Sequence, residues 1–182
     1  MDFSFRFDWW WRGLKKSPCD AGRVVRCVVR PKNGERASKD EIRLSIENGI
    51  EGDRWSTDPH RRPGNQVSLI NVHVVDSLSD GDAARAILAG DNLHVDLDLT
   101  EANLPVGTTL TIGEVVLEVS SEPHRPCKLF HERFGASGVK KVARANRIGR
   151  RGRGVLTQVV RGGVVRVGDV IYVRRPGRAC LS

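Results

Sequence analysis

Residues 155–173 read VLTQVVRGGVVRVGDVIYV, and this stretch decides the fold class. It holds three short valine-rich runs separated by turns at Arg161-Gly162-Gly163 and Gly168-Asp169. The runs are Val155–Val160, Val164–Val167 and Val170–Val173. β-Branched runs bounded by glycine-containing turns are typical of consecutive antiparallel strands. The sequence therefore predicts a β-rich domain.

Comparable runs occur through the rest of the chain. The further predicted strands are Gly22–Arg30, Ile42–Ile46, Gln66–Ile70, Thr108–Ile112 and Val115–Val119. Two helices are predicted, over Asp82–Ala89, with an acidic start and a glycine stop, and over Gly138–Asn146. Many short strands with one or two helices predict a mainly β fold with a few short helices, arranged as an antiparallel-dominated barrel or sandwich.

The chain length fits one domain with two short tails. We place an aromatic N-terminal tail at residues 1–20, the domain at 21–176 and a C-terminal tail at 177–182 of the 182 residues. The N-terminal segment carries Trp9-Trp10-Trp11 followed by Lys15-Lys16, which fits packing on the domain, disorder, or contact with a membrane surface or partner. It lacks the apolar core of a signal peptide, and no stretch approaches the ~20 apolar residues of a membrane span.

Positive charge is concentrated in the last third of the chain. The formal net charge is +8, yet residues 123–182 hold 15 Lys and Arg against two acids, Glu132 and Asp169, for a net +13. Residues 1–122 carry the balance of −5. This asymmetry indicates an anionic partner such as a phosphorylated cofactor or nucleic acid, or a solvated arginine-rich surface without one.

Cys127 is the leading candidate for chemistry. It lies in the run Pro123–Phe130 (PHRPCKLF), between the cations Arg125 and Lys128 and directly after Pro126. Adjacent cations favour the reactive thiolate, although an inert cysteine packed under a turn is an equal alternative from local sequence. The four cysteines, at 19, 27, 127 and 180, form no CxxC pair and fit a reducing cytoplasm. A zinc site from His124, Cys127 and His131 is disfavoured by the interleaved cations.

Three further segments suit an anionic ligand. Gly52-Asp53-Arg54 ends a glycine-bracketed turn, in which Arg54 can meet an anion. Asn92 lies in a second turn after Gly90. Residues 147–154 alternate arginine and glycine, so the guanidinium groups of Arg150 and Arg153 can surround accessible backbone N–H groups. Each segment also has an ordinary structural explanation as a loop.

Taken in order, these segments resemble the MOSC domain, the module at the C-terminus of molybdenum cofactor sulfurases. The matching segments are GIEGDR (49–54), QVSLI (66–70), GDNL (90–93), LPVGTTLTIG (104–113), PCKLF (126–130) and GRGVLTQVVRGGVVRVGD (152–169). Asp91 replaces the glutamate that commonly precedes the turn asparagine, and Leu129 separates Lys128 from Phe130 where a basic-aromatic pair is common. The resemblance implies a MOSC-type β-barrel with a basic groove.

The resemblance also implies a function and its residues. Cys127 would ligate molybdenum in a bound molybdenum cofactor, or carry persulfide sulfur. Gly52, Asp53, Arg54, Asn92, Arg125, Lys128, Arg150 and Arg153 are the candidate cofactor-binding residues. The implied activities are reduction of N-hydroxylated compounds and sulfur transfer to metal–sulfur centres, each with a separate electron or sulfur donor protein. A cofactor carrier without turnover, or a basic nucleic-acid-binding or regulatory protein, is the alternative.

Overall fold

Eleven strands form most of the computed structural model, which describes residues 3–177. In chain order they are β1 Ala21–Val29, β2 Ala37–Lys39, β3 Glu41–Ser45, β4 Gly49–Ile50, β5 Val67–Asn71, β6 Leu93–Asp96, β7 Thr109–Ile112, β8 Val115–Val119, β9 Val155–Arg161, β10 Gly163–Arg166 and β11 Val170–Arg174. Every predicted strand is present. Strands β2, β4 and β6 were not predicted, because each is short or begins within a turn.

Seven strands close into a barrel in the order β11-β7-β8-β9-β5-β6-β1. Closure comes from β1, whose first half pairs antiparallel with β11 at Ala21↔Tyr172, while its second half carries β2 at Cys27↔Lys39. Only β5 and β6 pair in parallel among the described strands. A separate sheet has the order β10-β3-β4. The predicted mainly β, antiparallel-dominated barrel is therefore confirmed.

The barrel interior is one apolar core, supplied by alternate residues of its strands. In β8, Val115, Leu117 and Val119 are buried, while Val116 and Glu118 are only partly so. Cys27 of β1 lies in this core. Inward residues at period two on twisted strands fill the interior with side chains, so the barrel encloses a packed core.

Four helices cover one side of the barrel: α1 Phe3–Arg12, α2 Val72–Leu78, α3 Ala83–Ala86 and α4 Lys128–Arg147. The predicted helix at 82–89 is α3 with a following 3-10 turn, capped by the Asp82 side chain. The predicted helix at 138–146 is the second half of the longer α4, which Gly135 interrupts with φ of +67°. No described helix has the length and apolarity that crossing a membrane requires.

The aromatic N-terminal segment includes a helix that packs on the domain. Phe7 and Trp10 of α1 are buried in a second apolar cluster with residues of α2 and α4, including Val74 and Val142. Packing on the domain was one of the alternatives left open by the sequence. Residues 178–182, which form most of the C-terminal tail and include Cys180, lie outside the described residues.

Candidate functional site

Cys127 caps the N-terminus of α4. Its backbone is extended, with φ of −93° and ψ of 176°, and its carbonyl accepts the first helical hydrogen bond from the His131 N–H at 3.0 Å. The residue is exposed, whereas Cys27 is buried. Because the first N–H groups of a helix lack intrahelical partners and carry partial positive charge, this position stabilises a nearby anion.

Arg36 lies within electrostatic reach of Cys127 and of three further arginines. We call these four residues the arginine cluster: Arg30, Arg36, Arg54 and Arg133. Burial, together with the nearby charges of Arg133, Arg30 and Arg54, lowers the pKa of Arg36 to about 10, while Cys127 acts in the opposite direction. Arg36 is thus the guanidinium group shown to interact electrostatically with Cys127, and its positive charge favours an anion near the thiol.

The backbone and two carboxylates hold the arginine cluster in place. Arg133 of α4 donates to the carbonyls of Leu88 and Gly34 at 2.7 and 2.6 Å. The Arg54 Nη1 donates to Asp58 Oδ2 at 3.2 Å. The Nε atoms of Arg36 and Arg54 are buried without a hydrogen-bond partner among the described residues. Buried N–H donors without a partner require an acceptor, so these two suit an anionic oxygen or a water molecule.

Asp53 and Asn92 lie beneath the arginine cluster. Asp53 is buried, and its oxygens accept hydrogen bonds from the Arg30 guanidinium and backbone, from the Trp55 N–H and from Asn92 Nδ2. Asn92 also donates to the Val28 carbonyl and accepts from both the backbone N–H and the hydroxyl of Ser68. Through these hydrogen bonds, Asp53 and Asn92 fix the positions of Arg30 and of the neighbouring backbone. Gly52, at φ of +75°, makes the turn that brings Asp53 there.

A second buried polar group joins Asp91, Arg153 and His124. Arg153 Nη1 donates to Asp91 Oδ2, Nη2 donates to the Ala89 carbonyl at 3.1 Å, and the guanidinium lies 4.6 Å from the Phe130 ring centre. Burial raises the pKa of the Asp91 carboxyl, against the charges of Arg153, Arg30 and Arg36. The His124 Nε2 lies 3.5 Å from Asp91 Oδ1, and burial with the Arg153 charge holds the pKa of His124 well below its usual value. The Arg153 side chain is therefore engaged in contacts within the protein.

The other predicted site residues lie apart from one another. Arg125 is exposed and lines a cleft of about 920 Å³ with His124, Asn146 and Arg151. The Lys128 side chain is 91% exposed and approaches Glu132 at 3.9 Å. Arg150 stacks over the Trp11 ring at 5.3 Å, so it belongs to the contact between α1 and the end of α4. The structure thus places Arg54 near Arg36, which in turn interacts with Cys127. Arg125 and Lys128 are exposed sequence neighbours of Cys127, and Arg150 lies elsewhere.

Sequence reasoning missed Arg30, Arg36 and Arg133. Arg30 follows the last residue of β1, Arg36 precedes β2, and Arg133 lies within the first half of α4. No local motif marks any of them, although Arg133 belongs to the basic last third of the chain. In residues 3–177, no three His, Cys, Asp or Glu side chains are grouped to hold a metal ion, so His124, Cys127 and His131 do not form a ligand set.

These features define a class of protein: a closed β-barrel with an exposed cysteine at a helix N-terminus and arginines around it. The family model for the MOSC domain matches residues 48–172, and the chain belongs to that family. The matched region includes Asp53, Asn92, Cys127 and Arg153.

Solved structures show the same fold. The structure of YuaD from Bacillus subtilis is similar with a TM-score of 0.61 at 17% identity, covering 84% of this chain and 95% of that one. YiiM from Escherichia coli gives a TM-score of 0.57 at 23% identity, covering 86% and 72%. YiiM from Geobacillus stearothermophilus gives 0.55 at 16%, covering 88% and 79%. No curated protein matches the chain.

Proposed function

We propose that this MOSC domain binds the molybdenum cofactor, with the Cys127 thiolate as metal ligand or as persulfide carrier. The observation that carries the proposal is the exposed thiol at the N-terminus of α4, within electrostatic reach of Arg36 in the arginine cluster. A thiolate is a suitable ligand for a transition metal, and arginine is suited to the phosphate of a pyranopterin.

The donor set fits such a group. The partnerless Nε atoms of Arg36 and Arg54 are available to phosphate oxygens, and Arg125 and Lys128 add positive charge along the chain next to the thiol. Asp53, Asn92 and Arg153 hold the surrounding chain through buried hydrogen bonds. When bound, the cofactor supplies two-electron redox chemistry or a centre that accepts sulfur. The protein's own residues bind it, orient it and neutralise its negative charge.

Two reactions are compatible with this site. Reduction of an N-hydroxylated compound consumes two electrons and two protons and releases water, so an electron donor protein is required. Sulfur transfer requires a persulfide donor protein, whose outer sulfur passes to the Cys127 thiolate as the donor leaves as a thiolate. Delivery of that sulfur to a metal centre as sulfide consumes two electrons from an external reductant and regenerates the Cys127 thiolate. We propose a cytoplasmic location, because the three described cysteines are free thiols.

Metal analysis of the purified protein tests the proposal. Protein made in a host that synthesises molybdenum cofactor is expected to contain molybdenum in proportion to protein, or to acquire it from released cofactor. Cys127→Ala is expected to lose the metal or the persulfide, whereas Cys19→Ala, which removes the other described exposed thiol, retains it.

The arginine cluster gives a second test of the same proposal. Arg36→Ala and Arg54→Ala are expected to weaken cofactor binding, while Arg43→Ala, an exposed arginine near Glu51, serves as the control. A wild-type protein that stays free of molybdenum and instead binds oligonucleotides with a steep dependence on salt would contradict the proposal. Stoichiometric cofactor without activity from any donor would identify a carrier.

A further inference from the structure

The outer face of α1 exposes two large aromatic side chains. Phe5 and Trp9 are 60% and 76% exposed and lie one turn apart on the helix. Exposed hydrophobic residues elsewhere in the described chain are mostly aliphatic and belong to different strands and loops. Adjacent exposed aromatic rings indicate an interaction surface, because their burial by a partner removes a large apolar area from water.

The opposite face of α1 is held firmly on the domain. Phe7 and Trp10 are buried, and the Trp10 indole donates to the Ser77 hydroxyl at 2.7 Å. Three cationic side chains lie over aromatic rings of α1. They are Lys141 over Trp10 at 5.0 Å, Arg144 over Phe7 at 5.4 Å and Arg150 over Trp11 at 5.3 Å. Phe5 and Trp9 are therefore presented by a helix that is already ordered, which lowers the entropy cost of binding.

Cations surround the exposed rings. A groove of about 620 Å³ runs between α1 and α4, and its lining includes Phe5, Trp9, Arg6, Lys140 and Lys141 and no carboxylate. Exposed Arg12, Lys15 and Lys16 continue the positive charge from the end of α1. Asp8 is the one acid of α1 among the described residues. The face is thus aromatic at its centre and cationic at its edge.

We propose that this α1–α4 face docks on an anionic lipid bilayer. Trp9 and Phe5 enter the interfacial region, where aromatic rings are favoured, while Arg6, Lys140 and Lys15 contact phosphate and carboxylate headgroups. Charge complementarity selects anionic lipid, and the rings add apolar contact. Single-stranded nucleic acid requires aromatic platforms along a continuous basic groove, whereas here both rings project from one ten-residue helix.

Docking in this way leaves the candidate site free. No residue of the arginine cluster lines the groove, and neither does Cys127. The inference is independent of the proposed function, because it uses neither the thiol nor a cofactor. It assigns Trp9 a role that the barrel itself does not require, while Trp10 and Trp11 hold α1 on the domain.

Vesicle co-sedimentation tests this inference. We expect the full chain to bind phosphatidylcholine vesicles that contain phosphatidylserine, to bind pure phosphatidylcholine vesicles weakly, and to dissociate as salt is raised. Tryptophan fluorescence is expected to shift to the blue on binding, and the Trp9→Ser variant is expected to lose most of that shift.

Matched variants locate the surface. Phe5→Ser with Trp9→Ser is expected to reduce the partition coefficient about tenfold or more. Tyr172→Ser, which removes a 61% exposed ring on β11, is expected to leave it unchanged. Both variants change exposed side chains, so circular dichroism should report the wild-type fold.

Three results would overturn the proposal. The first is vesicle binding by the double variant equal to that of the wild type. The second is oligonucleotide binding that depends on Phe5 and Trp9, together with no binding of the wild-type protein to vesicles. The third is a dimer in solution that the double variant disrupts, which would assign this face to a second copy of the chain.

Discussion

Arg30 holds the carboxylate of Asp53 with two guanidinium N–H groups, from Nε to Oδ2 and from Nη2 to Oδ1, each at 2.9 Å. The pair joins the end of β1 to the turn that follows Gly52, 23 residues further along the chain. Burial raises the pKa of Asp53, but the hydrogen bonds and charge of Arg30 outweigh it, so the net shift is downward. The carboxylate therefore stays ionised beneath the candidate site.

Replacement of Asp53 tests the importance of this pair for stability. Asp53→Ala leaves the half-buried Arg30 charge without its partner, so the free energy of unfolding is expected to fall by about 3–5 kcal/mol. Urea denaturation followed by circular dichroism measures it. The control is Glu51→Ala, in an exposed pair with Arg43 at 3.9 Å, which should change stability by less than about 0.5 kcal/mol. Equal effects of the two variants would contradict a structural role for Asp53.

Stability should depend on pH through His94. Burial and the charge of Arg26 lower the pKa of His94 to about 3, against about 6.5 in an unfolded chain. A lowered folded-state pKa gives stability that is complete above the unfolded value and is lost as the pH falls towards the folded one. Between pH 7 and pH 5 this histidine alone should cost about 2 kcal/mol of unfolding free energy.

The His94→Gln variant removes that titration. Its unfolding free energy should change less between pH 7 and pH 5 than that of the wild type, whatever its absolute stability. Urea denaturation at the two pH values measures the difference. Part of the pH dependence that remains in the variant is assigned to His124, because burial and the charge of Arg153 also lower the pKa of His124. A slope unchanged in His94→Gln would show that His94 does not titrate as expected.

The described thiols should differ in their reactions with charged reagents. Burial raises the pKa of Cys27 to about 12, so it should resist alkylation in the folded protein. Cys19 lies near the carboxylates of Asp98 and Asp20, and Cys127 lies near the Arg36 guanidinium. The rate ratio of anionic iodoacetate to neutral iodoacetamide should therefore be higher at Cys127 than at Cys19. Peptide mass spectrometry measures both rates, and equal ratios would contradict a positive field at Cys127.

Gly154 should tolerate no side chain. Its φ is +91°, and an added Cβ would lie 1.9 Å from the Leu69 carbonyl oxygen, between Arg153 and the start of β9. Gly154→Ala must displace the backbone at residue 154 or at Leu69, so we expect the free energy of unfolding to fall by about 3 kcal/mol or more. Gly113→Ala is the control: its φ is +57° and no atom lies within 4 Å of the added Cβ, so a loss of about 1–2 kcal/mol is expected. Thermal denaturation compares them.

Local pattern predicted the strands well but did not indicate helix α2. The runs within 155–173 became β9, β10 and β11 because their valines and glycine turns act locally. The segment VHVVDSL (72–78) is rich in β-branched residues, yet it forms α2. The Asn71 side chain caps it, and Val74, Val75 and Leu78 pack in the helical layer. Tertiary packing therefore outweighed the intrinsic preference of these residues for a strand, as it can in a short segment.

The sequence by itself determined the β-rich class, the family, the position of Cys127 and the positive charge of the last third of the chain. These depend on neighbouring residues and on composition. The tertiary structure alone decided that Arg30 and Arg133 lie near Arg36, which interacts with Cys127, while Arg153 is buried against Asp91 and Arg150 lies over Trp11. Barrel closure and the packing of α4 bring together residues that are up to about a hundred positions apart. Because a buried charge without a partner is costly, some arginines form ion pairs within the protein.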